Sequence, residues 1–203
     1  MTPNQQSDLI ESQTLWDNAA ATFDCEADHG LGDPETRQAW QRLLLQLLPP
    51  PPAMILDLGC GTGSLSLLMA EEGYQVSGGD FSEQMLIQAR AKATHNGQRI
   101  DFHLMDVANP QLGEHKFSVV LCRHVLWALP EPEVVLQRWA KLLLPGGKLV
   151  LIEGFWMTGA GLPANTLVAM LPPPFTVEVV NLSEQSVLWG HAVNDERYVV
   201  VAY

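Results

Sequence analysis

In the stretch AMILDLGCGTGSLSLLMA, residues 53–70, an apolar run ends in Asp57 and opens into Gly59, Gly61 and Gly63. Glycines so spaced allow a tight turn from strand to helix and let backbone approach a ligand with no Cβ in the way. A dinucleotide loop carries G-x-G-x-x-G or A, with the third small residue packing helix on strand. Here the spacing is G-x-G-x-G, and Ser64 stands where that pattern has Gly or Ala. The sharper signal is Asp57. A carboxylate beside the loop opposes a pyrophosphate and suits a ligand that carries positive charge.

S-adenosylmethionine has an ammonium and a sulfonium and no phosphate, so it meets that requirement. Asp80 lies 21 residues after Gly59 at the end of a second apolar stretch, where an acid accepts hydrogen bonds from ribose hydroxyls. Asp106, in LMDVANP, can accept a hydrogen bond from an adenine amino group, although DVANP is also good turn chemistry.

The elements that must position these acids read as follows. A broken apolar stripe, Leu9, Ile10, Leu15, Trp16, Ala19, Ala20 and Phe23, predicts a helix over 7–23. Asp33 as N-cap and Pro34 as first helical residue open a helix over 34–48, which PPPP at 49–52 stops. After that the chain alternates: strand 53–58, helix 63–72, strand 75–80, a helix over 83–94 capped by Ser82, strand 99–106, strand 117–123, helix 131–143, a PGG turn and strand 148–154. Strands that are nearly continuous in apolar residues and alternate with helices imply a parallel sheet covered on both faces. FTVEVVNL at 175–182 and ERYVVVAY at 196–203 read as an antiparallel pair, because the segment between them is too polar and short for a crossover helix.

ILDLGCGTG, VSGGDFS, LMDVANP and LLPGGKLVLIEG, in this order between about residues 53 and 153, resemble the successive motifs of the class I S-adenosylmethionine-dependent methyltransferases, of the methyltransferase type 11-like, small-molecule kind. The resemblance implies a Rossmann-like three-layer α/β sandwich with a seven-stranded, mostly parallel sheet of order 3-2-1-4-5-7-6 and strand seven antiparallel. It implies one methyltransferase domain over 1–203, with 1–48 as an N-terminal helical lid and 53–203 as the cofactor-binding core. By the same resemblance Gly59 and Gly61 line the methionine portion of the cofactor, with Cys60 between them in the cofactor site. Asp57 contacts the amino group, Asp80 the ribose, Phe81 the adenine face, and Asp106 with the Val107 backbone the adenine edge. Cys122 and Arg123 approach it mostly through backbone. Ser118 departs from the family pattern, which often has an acid there, at a place away from the cofactor.

Methyl transfer needs alignment above all, and a general base only if the acceptor loses a proton in the step. No catalytic residue is therefore assigned. His124 and His29 are the candidate bases, because they alone among the histidines fall in the stretches expected around the acceptor; His95, His103, His115 and His191 do not. Those stretches are WDNAAATFDCEADHG, RHVLWALP and GFWMTGAGLP, beyond the carboxyl ends of the strands. Trp16 and Phe23, seven apart on the expected helix, together with Trp127 and Trp156, are the candidate walls of an acceptor pocket. Asp195 and Arg197 of DERY read as a solvated charge pair at a sheet edge.

Composition narrows the partners. Eleven Lys and Arg against 23 Asp and Glu, a formal charge of −12, argue against nucleic acid and anionic membrane surfaces. No apolar run reaches the roughly 18 residues of a membrane span, and MTPNQQSDLIESQ has neither the basic start nor the apolar core of a signal peptide, so a cytoplasmic location is expected. Cys25, Cys60 and Cys122 make no CxxC pair, and the histidines show no ligand spacing, so no metal is expected. The expected function is methyl transfer from S-adenosylmethionine to a small molecule, leaving S-adenosylhomocysteine. The rival readings are a non-catalytic S-adenosylmethionine-binding module and a nicotinamide-dependent oxidoreductase. The acceptor, its accepting atom and the oligomeric state have no signature in the sequence.

Overall fold

The computed structural model describes residues 3–113 and 116–203, and of residues 3–10 the backbone alone. His115 and the side chains of Leu9 and Ile10 lie outside the described residues. The elements, in chain order, are α1 (Pro3–Ala19), α2 (Ala27–Gly30), α3 (Pro34–Leu47), β1 (Met54–Leu58), α4 (Ser64–Glu71), β2 (Gln75–Asp80), α5 (Glu83–His95), β3 (Asp101–Leu104), β4 (Phe117–Arg123), α6 (Pro132–Ala140), β5 (Leu143–Phe155), α7 (Ala164–Met170), β6 (Val177–Asn181), α8 (Ser186–Trp189) and β7 (Glu196–Ala202). Single 3-10 turns cover Phe23–Cys25 and Leu126–Ala128.

The seven strands form one sheet in the order β3-β2-β1-β4-β5-β7-β6. β1, β2, β3, β4 and β5 are mutually parallel, and β7 runs antiparallel to both β5 and β6. Both faces are covered, which is why the strands read as unbroken apolar runs. Along β1, β4 and β7 successive residues alternate between two apolar layers. Ile55, Leu121 and Val199 pack with Trp40, Leu44, Leu68 and Trp189 of α3, α4 and α8. Leu56, Val120 and Val200 pack on the other face with Leu136, Trp139 and Leu167 of α6 and α7. Each such side chain, fully buried, contributes about 1.5–3 kcal/mol.

The two expected caps are made. Asp33 Oδ1 accepts from the Thr36 N–H at 2.8 Å ahead of Pro34, and Ser82 Oγ accepts from the Met85 N–H at 3.2 Å. Several boundaries differ from the sequence expectation. α1 stops at Ala19, short of 23, because Phe23 and Asp24 turn back onto the glycine loop. β3 pairs only over 101–104, since Asp106 leaves the ladder to accept from the Ala108 N–H. The PGG turn is a bulge inside β5: Phe117 faces Leu143 and Val119 faces Lys148, with Gly146 at φ +77. α7 and the one-turn α8 were not expected. α8 forms because Leu188 and Trp189 bury against α3, and the Trp40 Nε1–H donates to the Leu188 carbonyl at 2.8 Å. β6 and β7 are the antiparallel pair expected. Among the described residues no helix is long and apolar enough to cross a membrane.

Candidate functional site

β1 lies between β2 and β4, so strand order reverses there, and the carboxyl ends of β1 and β4 are where open α/β sheets bind ligands. The glycine loop fills that position. Gly59, Gly61 and Gly63 have φ of +73, +54 and +76, a region that glycine alone enters without strain. Close approach adds a second demand at Gly59, where a Cβ would lie 2.3 Å from Val125 Cγ2. The Gly59 and Cys60 N–H groups both donate to the Gly79 carbonyl, at 2.8 and 3.1 Å, which locks the loop to the end of β2.

The three expected acids lie in distinct environments. Asp57 is buried at the end of β1, and the Ser66 Oγ–H donates to its Oδ2 at 2.6 Å. Burial pushes its carboxyl up to about 6, against the lowering effects of the Ser66 hydroxyl and the Arg123 charge. Asp80 is also buried. Its Oδ2 accepts from the Gly61 N–H and its Oδ1 from the Ser82 N–H, each at 2.9 Å, so it braces the loop and the start of α5 at once. Burial raises its carboxyl, and the backbone donors oppose this. Asp106 is half-buried and closes its own turn, and the neighbouring Val107 carbonyl accepts from the Trp139 Nε1–H at 2.8 Å. The Phe81 carbonyl accepts from Gln13 Nε2 of α1 at 2.9 Å. Cys60 is buried beside Gly78. The Cys122 side chain sits in the apolar layer under α6, where burial and then the Glu153 charge push its thiol well up.

The four aromatic residues expected around an acceptor divide into two pairs. Trp16 and Phe23 meet edge to face, with ring centroids 6.1 Å apart, but across the end of α1 and not on one helix face. Phe23 lies over the loop, its Cε1 3.4 Å from where a Cβ of Gly61 would be, and its other neighbour is the stacked ring of His29 at 4.2 Å. The neighbouring Asp24 accepts from Thr62 Oγ1 at 2.6 Å and pairs with Lys92 Nζ at 2.8 Å. The N-terminal segment therefore covers the glycine loop.

Trp127 and Trp156, the second pair, have centroids 5.3 Å apart beyond the ends of β4 and β5. His124 joins them with φ +58, held by its N–H on the Ile152 carbonyl at 2.9 Å and by Trp127 Nε1–H on its own carbonyl at 3.0 Å. Its ring stacks on Trp189 and meets the edge of Trp156, at 5.8 and 5.4 Å. Its Nε2 is shut off from solvent and has no hydrogen-bond partner, and the same holds for His29 Nδ1. Burial, and then the Arg123 and Arg197 charges, hold the His124 imidazole well below its usual range, so it is neutral at pH 7.

Asp195 and Arg197 correct the sequence reading. They are not a solvated pair: their side chains are 13% and 12% exposed. Arg197 makes two bonds to Asp195, at 2.7 and 3.2 Å, and its guanidinium lies 4.9 Å from the Trp189 ring centre and 5.4 Å from that of Trp156. Two side chains make contacts that sequence reasoning did not assign, although Arg123 was named there for its backbone. The Arg123 side chain donates to the Asp28 carbonyl of α2 and lies over Trp40 at 5.1 Å. Glu153, fully buried at the end of β5, accepts from the Val125 and Leu126 N–H groups at 3.1 and 2.8 Å through Oε1, while Oε2 has no partner. Burial pushes it up to about 8. A charged residue ending an apolar strand was the only local signal for either.

Residues 56–151 match the family model described as a methyltransferase domain. The ubiquinone biosynthesis O-methyltransferase of Idiomarina loihiensis is 42% identical over 98 residues, 47% of this chain and 40% of that one. The protein of the same name from Xanthomonas axonopodis pv. citri is 37% identical over 107 residues, 51% and 44% of the two chains. The chain thus spans less than half the length of these curated relatives. Among solved structures, the N-methyltransferase NodS from Bradyrhizobium japonicum, in complex with S-adenosylhomocysteine, superposes with a TM-score of 0.69 at 20% identity, over 92% of this chain and 97% of that one. The cyclase SpnF does so at 0.70 and 20% identity, over 81% and 79%, so the fold alone does not select the chemistry. The strand order, the reversed β7 and the glycine loop, with these matches centred on residues 56–151, make the chain similar to the class I S-adenosylmethionine-dependent methyltransferases.

Proposed function

We propose that this chain binds S-adenosylmethionine over the Gly59–Gly63 loop and methylates a small-molecule acceptor, releasing S-adenosylhomocysteine. The observation that carries the reading is Asp57, a carboxylate buried at a strand end and pushed up to about 6 by that burial. An acid so placed favours a ligand that brings its own positive charge.

In this reading Asp57 holds the cofactor's amino group, Asp80 the ribose and Asp106 with the Val107 backbone the adenine edge, with Phe81 against the adenine. Gly59, Cys60 and Gly61 line the methionine portion, and Cys122 contributes through backbone. The bound cofactor supplies a methyl group already activated on a sulfonium. The chain's part is to orient the acceptor against it and to exclude water, which in favourable cases supplies on the order of 7–11 kcal/mol. Residues 1–48 act as a lid on a core formed by 53–203, supported by the seats of Phe23 and Asp24 on the loop. The curated relatives bear the name of O-methyltransferases, and we take oxygen as the accepting atom, with His124 and His29 as the candidate bases.

Thermal unfolding with each cofactor tests the reading. S-adenosylmethionine or S-adenosylhomocysteine at about 100 times its Kd should stabilise the protein by about 2.7 kcal/mol, and NAD should not. A shift with NAD alone would overturn it. Binding without turnover on a broad panel of hydroxylated metabolites would mark a non-catalytic module.

A further inference from the structure

We propose that the Arg123 side chain binds the carboxylate of the cofactor's methionine end, and that Asp57 and Arg123, set apart on one face of the sheet, together select a ligand with both charges of an α-amino acid. This rests on the S-adenosylmethionine reading above, and it gives a side-chain role to a residue that the family resemblance leaves mostly to its backbone.

The geometry begins with the register of β1 and β4. Asp57 is the partner of Leu121, and Arg123 lies two residues further along β4, so both side chains leave the sheet on the same face. On that face α4 supplies Ser66, whose hydroxyl donates to Asp57. Arg123 is held elsewhere. It donates to the Asp28 carbonyl of α2 and lies over the Trp40 ring of α3. The two charges act on each other, yet among the described residues no hydrogen bond or ion pair joins them. Each is drawn aside by a neutral partner, so the pair stands open. Above it runs the N-terminal segment, with Asp28 on Arg123, Phe23 over Gly61 and the His29 ring stacked on Phe23. Arg123 is half-buried, and its guanidinium is a planar fork of N–H donors, of which the Asp28 carbonyl engages one Nη.

The other titratable groups near the pair leave this role to Arg123. Lys92 is already bonded to Asp24, Thr62 and Ser64. His29 is held below its ordinary range, chiefly by burial, so it is neutral at pH 7. Asp28, whose charge acts on Arg123, and Asp80, whose charge acts on Asp57, are acids and repel a carboxylate. An ammonium alone at Asp57 satisfies that acid and leaves Arg123 facing a like charge. A carboxylate on the same carbon turns the repulsion into a charge-assisted pairing that suits the planar fork. Two charges of the ligand then meet two of opposite sign, and no net charge is buried with them.

The test uses the full chain and two thioethers, S-adenosylhomocysteine and S-adenosyl-3-thiopropylamine, which keeps the amine and has hydrogen in place of the carboxylate. Calorimetry should show the wild type binding the first more tightly by about tenfold or more, the scale of one bond to a charged group. R123M keeps an apolar side chain on Trp40 but has no donor. It should weaken S-adenosylhomocysteine alone and so bind the two ligands about equally. R123Q keeps a donor for the Asp28 carbonyl without the charge, and it should lose the preference too. A role limited to bracing α2 would weaken both ligands together. The preference left intact in R123M or R123Q overturns the proposal. A wild type that binds both ligands alike also overturns it, and that outcome needs no variant to fold. Absence of S-adenosylhomocysteine binding in the wild type would count against the S-adenosylmethionine reading itself.

Discussion

Asp24 of the N-terminal segment and Lys92 of α5 meet 2.8 Å apart across the glycine loop, and Thr62 of the loop bonds to both. The covering segment is thereby latched to the element it covers. The pair is partly exposed, so its direct contribution to stability is at most about 1 kcal/mol. Its effect should be on exchange. D24N is expected to leave the melting temperature within about 2 °C and to speed S-adenosylhomocysteine release several-fold, read by stopped-flow tryptophan fluorescence. An unchanged release rate would show that the segment does not gate the crevice.

If Asp57 holds the ligand's ammonium as proposed, cofactor affinity depends on pH. Its folded carboxyl titrates near 6 against an ordinary value of 3.8, so the free protein takes up a proton there as pH falls below about 6. A ligand ammonium binds the ionised form. Affinity for S-adenosylhomocysteine should therefore rise as pH climbs through about 6 and level off above it. D57N should bind at least tenfold more weakly at pH 7.5 and lose that pH dependence, measured by calorimetry from pH 5 to 8.

Asp80 carries two duties that a pair of substitutions separates. D80A removes the acceptor of both the Gly61 and the Ser82 N–H and should cost about 1–3 kcal/mol in denaturant unfolding, besides its cost to cofactor binding. D80N keeps one acceptor oxygen. It should recover part of that stability while still binding the cofactor poorly, if Asp80 accepts from ribose hydroxyls as proposed.

Glu153 predicts a stability slope between about pH 4.5 and 8. Its carboxyl is raised from 4.5 to about 8, so the folded state holds a proton that the unfolded chain releases. Folding stability should then fall as pH rises from about 4.5 to about 8 and flatten beyond. E153Q keeps the acceptor for the Val125 and Leu126 N–H groups and abolishes the titration. Its unfolding free energy should change less between pH 6 and 9 than that of the wild type, and equal slopes in the two proteins would refute the assignment.

Much of this was legible locally. The spans of β2 and β4, the caps at Asp33 and Ser82, the glycine loop and the strand-end acids Asp57 and Asp80 each depend on neighbours within a few residues, where periodicity and turn chemistry act. The sheet order came from the family resemblance, and the structure has it. α8 and the reach of Arg197 were not legible. Trp189 lay in a segment read only as polar and short, and Arg197 read as half of a solvated pair, because what buries them are Trp40, His124 and Trp156, brought from other parts of the chain by the sheet. Trp16 and Phe23 met as expected, but through a chain reversal that helical spacing does not anticipate.

The reversed last strand has a consequence for how this rim is built. In strands β1 to β5 the rim is reached at the end of each strand, so it receives whatever follows. Because β7 runs the other way, its beginning arrives there instead: Arg197 is in register with Gly154, near the end of β5. A side chain at 154 would place a Cβ 3.0 Å from Arg197 Cδ and 2.7 Å from the Glu196 carbonyl oxygen, so the glycine clears the lane along which the guanidinium crosses to the indoles. The final hairpin thus brings the Arg197 guanidinium to both Trp156 and Trp189. In the proposed reading, one wall of the acceptor site depends on the C-terminal strand.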